Sequence, residues 1–104
     1  TNLYFYIMHT LGEISELIGA SLIGNPNQNI TGIASLSSAQ SEHLSYINST
    51  KLIGSLKSSN AGAIIISKDL SNECRTNALI VDNVYLALAK VTQIFKHKIY
   101  SNKN

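Results

Sequence analysis

Apolar positions along this chain fall at two different periods. Leu11, Ile14, Leu17 and Ile18 recur at helical spacing, which predicts an amphipathic helix with one apolar stripe. Thr10 and Glu13 stand where a T-x-x-E capping box opens such a helix, and Gly19 suits the left-handed residue that often closes one. A second helical stripe comprises Val84, Leu88, Val91 and Phe95, thickened by Ala87 and Ile94. Asp82 or Asn83 is its predicted cap.

Between the two stripes the pattern shortens. Ser21–Ile23, Ile30–Leu36 and Leu44–Ile47 read as strands, with Gly32 a bulge or a point of close backbone approach. Ala63–Ile66 and Ala78–Val81 are continuous apolar runs, of the kind found in strands covered on both faces. Gly24–Gln28 (GNPNQ) is a turn, Ser37–His43 a loop, and Lys68–Thr76 a loop or helical turn. Ser49 or Thr50 can cap a short helix carrying Leu52, Ile53 and Leu56, which Gly54 weakens. The predicted order is α-β-β-β-α-β-β-α. Doubly apolar strands need helices over them, so this is a mixed α/β fold with a mixed sheet of about five strands and three flanking helices. Ile64, Ile65, Ile66, Leu79, Ile80, Leu88 and Val91 are the predicted core.

Composition narrows the function classes. The 104 residues suffice for one domain with a modest core. The chain is 44% hydrophobic and 13% charged, which excludes a disordered segment. Net charge is +2 with the basic residues scattered, so no nucleic-acid surface is expected. No apolar run reaches the ~18 residues of a membrane span. One cysteine, Cys74, excludes an internal disulfide framework and reads as a loop thiol. His9, His43 and His97 lack metal-ligand spacing and read as solvated loop or helix-end residues. No cofactor motif occurs, and no serine sits in a motif that supplies a base. Catalytic residues, metal ligands and cofactors are therefore all predicted to be none.

Residues 1–7 (TNLYFYI) are worded like a protease-site linker of an expression tag and precede Met8, which reads as a native start. They are set aside from the fold. Residues 8–98 form the expected domain, and 99–104 a frayed tail or the start of a linker.

What chemistry remains is binding. A pyrimidine needs a flat face to stack on and polar groups at its edge. Tyr46 closes the Leu44–Ile47 strand just before a polar turn. Two readings of its ring are open: an exposed stacking surface, or packing on the sheet, as most strand aromatics do.

The segments together resemble a known family. LGEISELIGA at Leu11–Ala20, ITGIASL at Ile30–Leu36 and NVYLALA at Asn83–Ala89 are similar to the N-terminal uridine-binding domain of UDP-3-O-acylglucosamine N-acyltransferase, an enzyme of lipid A biosynthesis. The likeness runs from about Leu11 to Phe95. The family carries F-x-x-N-P-K-Y after the third strand. Its two aromatics sandwich uracil and its Asn contacts the base. Tyr46 falls on the first aromatic, Ser49 on the Asn, Thr50 on the Pro, Lys51 on the Lys and Leu52 on the second aromatic. The resemblance thus implies a uracil site at Tyr46, Asn48, Ser49 and Leu52, with Asn48 one position before the family's Asn. Losing one stacking wall costs roughly 1–3 kcal/mol, so weak binding is expected.

The resemblance further implies a cytoplasmic protein whose substrate is a UDP-linked acylglucosamine. Acyl carrier protein would be a partner through a trimeric catalytic domain of hexapeptide repeats. No such repeat occurs in this sequence, so the chain alone is expected to be inactive and monomeric. A domain that packs without binding nucleotide is one alternative. The N-terminal domain of a Mur ligase is another, although Ser35-Leu36-Ser37 stands where D-S-R is expected there.

Overall fold

The computed structural model describes residues 9–102, with side chains described through Phe95. Residues 1–7 lie outside it. In chain order the elements are β1 (His9–Thr10), α1 (Leu11–Ile18), β2 (Ser21–Ile23), β3 (Asn29–Ile30), β4 (Gly32–Ile33) and β5 (His43–Tyr46). A 3-10 turn (Thr50–Leu52) then leads into α2 (Ile53–Ser58), followed by β6 (Ala63–Ile66), a second 3-10 segment (Lys68–Glu73), β7 (Asn77–Ile80) and α3 (Val84–Asn102).

The expected mixed five-strand sheet is present, in the order β2-β7-β6-β5-β4. Strands β4 to β7 run parallel and β2 joins β7 antiparallel. The two apolar runs form β6 and β7, at the middle of the sheet. All four β6 residues are buried. Residues alternate between two cores, as strand geometry requires. Leu44, Ala63, Ile65 and Leu79 face one core with α1 and α3. Ile64, Ile66 and Ala78 face the other, closed by Leu36, Ala39, Ile47, Leu56 and Ala61 from the connecting segments.

The helix ends follow their predicted chemistry. Thr10 Oγ1 accepts from the Glu13 N–H at 3.2 Å, and Glu13 Oε1 accepts from the Thr10 N–H at 2.9 Å. That second bond holds the Glu13 carboxyl below its ordinary range. Gly19 closes α1 with φ 67°, and Asn83 Oδ1 caps α3 by accepting from the Leu86 N–H.

Several expectations are corrected. The single strand at Ile30–Leu36 is two short ones. Asn29–Ile30 pairs with β1 in a separate two-strand ribbon, whereas Gly32–Ile33 lies at the sheet edge beside β5. The Ser35 carbonyl then takes the N–H groups of Ser38 and Ala39, turning the chain away. Leu17 is 51% exposed, and Ser15 takes its place on the buried face of α1. Leu88 is only half-buried while Ala87 is buried, so the α3 seam runs Val84–Ala87–Val91–Phe95. His9 and His43 lie half-buried in strands rather than in solvated loops. The His9 ring meets Phe95 edge-on at 5.6 Å, and His43 Nδ1 accepts from the Gln40 N–H. The His97 side chain lies outside those described. Helix α3 runs to Asn102.

Candidate functional site

The polar loops that follow β5, β6 and β7 lie at one end of the sheet because those strands are parallel and adjacent. The chain leaves β5 and β6 toward the second core, through Ile47 and Leu56, then Leu70. It leaves β7 toward the first core, through Val84 and Ala87 of α3. Neighbouring connections that depart to opposite faces open a crevice between them. In open α/β sheets such crevices, at the carboxyl ends of the strands, are where ligands bind.

A crevice of about 420 Å³ occupies this place. Asn48, Ser49 and Thr50 line it from the loop after β5. Ser67 and Asp69 line it after β6, and Asp82, Asn83 and Tyr85 after β7. Ile47, Leu70 and Val84 supply its apolar part. Its size falls within the range of small-molecule sites.

A smaller cavity of about 170 Å³ lies nearby, lined by Ser35, Leu36, Ser37, Tyr46, Leu52 and Ser55. Ser59 Oγ donates to the Leu36 carbonyl at 2.6 Å and ties this wall to the end of α2. Tyr46 is half-buried, packs against the first core and also lines the cavity, as does Leu52, which is 41% exposed. The volume is below the range of whole small-molecule sites.

The four residues singled out from the sequence thus fall into two adjacent pairs. Tyr46 and Leu52 share the small cavity; Asn48 and Ser49 line the larger crevice. Segment Asn48–Leu52 is common to both. Asp69, Asp82 and Tyr85 were not foreseen. Their one sequence signal was position: each follows an apolar strand run closely, where a parallel sheet gathers its loops.

Other polar groups offer less. Cys74 is half-buried, and burial pushes its thiol up. Its S–H points to the Thr76 carbonyl at 3.4 Å. A protonated, tethered thiol is a poor nucleophile. Among the described residues no cluster of three His, Cys, Asp or Glu is placed to hold a metal ion. No described helix is long and apolar enough to cross a membrane.

The architecture is that of a small mixed α/β domain, with the loops after three adjacent parallel strands gathered at a crevice. Residues 27–94 match the family model for UDP-3-O-(3-hydroxymyristoyl) glucosamine N-acyltransferase, LpxD. The chain is 52% identical over 89 residues to the UDP-3-O-acylglucosamine N-acyltransferase of Ruthia magnifica subsp. Calyptogena magnifica, covering 86% of this chain and 27% of the relative. It is 35% identical over 93 residues to the enzyme of that name from Acinetobacter baylyi, covering 88% and 26%. For the Shewanella denitrificans enzyme the figures are 39% over 84 residues, 81% and 25%. The chain belongs to the LpxD family, which decides the choice between acyltransferase and Mur-ligase resemblances. It spans about a quarter of the length of these relatives.

Proposed function

We propose that this chain holds the uridine end of a UDP-linked acylglucosamine for a lipid A N-acyltransferase. Uracil enters the small cavity between Tyr46 and Leu52, with Ser49 or Asn48 reaching its edge from the shared segment. Acyl transfer from acyl carrier protein to the glucosamine amine belongs to a catalytic domain outside these residues. Binding energy at the uridine end then positions the amine, which acts at a distance by lowering the entropic cost of the reaction. The protein works in the cytoplasm, and this domain by itself is a monomer.

The observation that supports this reading is that Tyr46 and Leu52 line one cavity at the carboxyl end of a parallel strand. The test is an NMR titration of the chain with UDP, with ADP as the control. UDP should move the amides of Tyr46–Leu52 at millimolar concentration and ADP should not. Tyr46→Ala should abolish the response. Leu52→Tyr restores an aromatic wall and should tighten binding by about one to two decades. Equal responses to UDP and ADP, or none, would leave a packing or partner-contact domain as the better account.

A further inference from the structure

The small cavity is polar in one chemical sense only. Its polar side chains are those of Ser35, Ser37, Ser55 and Tyr46, and each ends in a hydroxyl. No amide, carboxylate or cationic side chain lines it, and Asn48 belongs to the larger crevice. The serines come from two segments. Ser35 and Ser37 lie after β4, and Ser55 lies in α2. Ser59, just past the end of α2, ties the two together. Its hydroxyl accepts from the Ala61 N–H at 3.2 Å and donates to the Leu36 carbonyl. Other serines spend their hydroxyls on backbone: Ser15 donates to Gly12, Ser58 to Gly54 and Ser71 to Lys68. The cavity serines do not. Among the described residues, the Ser35 and Ser37 hydroxyls only approach each other, at 3.5 Å. Ser55 contributes its carbonyl to Ser58 and keeps its hydroxyl free.

A free hydroxyl donates or accepts according to how it rotates. That freedom decides what such a lining can tell apart. Uracil presents an acceptor at O4 and a donor at N3, whereas cytosine presents a donor at N4 and an acceptor at N3. Fixed donors and acceptors reject the wrong base, because a buried polar group is then left unpaired. Hydroxyl rotors reverse their sense instead, and either base finds its bonds met. We propose that Ser35, Ser37 and Ser55 read the edge of a pyrimidine and do not separate uracil from cytosine. The inference rests on the uridine reading above and widens its ligand class to pyrimidine nucleotides in general.

The experiment is an NMR titration of the chain with UDP, CDP and ADP. UDP and CDP should move the same amides, Ser35–Ser37 and Tyr46–Leu52, with affinities within about threefold of each other. ADP should move neither set. A CDP affinity more than about tenfold below that of UDP overturns the inference and leaves the uridine reading standing. No response to either pyrimidine nucleotide, or an equal response to ADP, overturns both. Alanine variants then test the hydroxyls themselves. Ser55→Ala places a good helix former in α2, and Ser35→Ala and Ser37→Ala change exposed positions, so all three should fold. Each should weaken UDP and CDP alike, by about two- to tenfold for one lost hydrogen bond. Unchanged affinity for both nucleotides in all three folded variants refutes the hydroxyl assignment. A variant that loses UDP and keeps CDP, or the reverse, reveals a hydroxyl of fixed sense and also overturns the inference.

Discussion

The Ser49 hydroxyl accepts a hydrogen bond from the backbone N–H of Lys51 at 3.2 Å. This bond caps the turn Thr50–Leu52 that leads into α2. The Ser49 hydroxyl keeps its proton and one lone pair for a ligand, but on a shorter side chain than an amide, which holds a donor and an acceptor in one plane.

Ser49→Asn should therefore raise UDP affinity without a loss of stability. Asn caps as well as Ser does, so thermal stability should stay within about 0.5 kcal/mol. UDP affinity should rise, because an amide reaches further and matches both edges of a pyrimidine. Ser49→Ala should cost about 1 kcal/mol of stability through the lost cap. Denaturant unfolding and UDP titration of the same variants check both. A more stable Ala variant would show that the cap bond contributes nothing.

Gly62→Ala should be strongly destabilising although both residues are small. A Cβ at this position would overlap the Ser41 carbonyl oxygen, which belongs to backbone and cannot swing away. The Gly62 N–H also donates to the His43 carbonyl at 2.9 Å, just before β6 begins. The expected loss is about 1–3 kcal/mol, the usual range for overpacking. An alanine variant with an unchanged melting curve would contradict this close approach.

Ile65→Asp should unfold the domain. Ile65 is fully buried at the centre of the sheet, between β5 and β7, where an unpaired charge has no partner. Ile65→Ala is the milder measure and should cost about 2–5 kcal/mol. Circular dichroism during urea titration separates the two. A cooperative, wild-type transition for the Asp variant would refute the core assignment.

The Thr10–Glu13 box makes stability respond to acid. The Thr10 N–H stabilises the ionised Glu13 carboxylate, so its folded pKa lies below its unfolded value. A depressed carboxylate contributes stability that is fully present above the unfolded pKa. That contribution is lost as pH falls through the folded one. Glu13 is almost fully accessible to solvent, so the effect should be small. Glu13→Gln retains a capping acceptor without charge. The difference in melting temperature between wild type and variant should shrink as pH drops below the ordinary glutamate range. A difference independent of pH would assign the box no ionic component.

Local features of the fold were legible because local rules set them. The T-x-x-E box, the left-handed Gly19 and the Asn83 cap each satisfy free backbone groups within one turn of chain. The runs at Ala63–Ile66 and Ala78–Val81 announced strands covered on both faces. Errors arose where a distant partner intervened. Ile30–Leu36 has the apolar content of one strand, yet its first residues bond to His9–Thr10 and later ones to His43–Leu44. Leu17 fits the helical stripe, but no element covers it, and it remains exposed.

The candidate site divides in the same way. Tyr46 and Leu52 are six positions apart, and it was the family resemblance, not the local pattern, that suggested they share a surface. Asp69 lines the crevice from the segment after β6, whereas Asp82 and Tyr85 line it from the segment after β7. Sequence by itself determined which segments become strands and helices, since hydrophobic period and capping act over a few residues. Tertiary structure decided that three parallel strands end side by side and that the chain then departs to opposite faces. Those long-range pairings are what bring loops separated by many residues to one crevice.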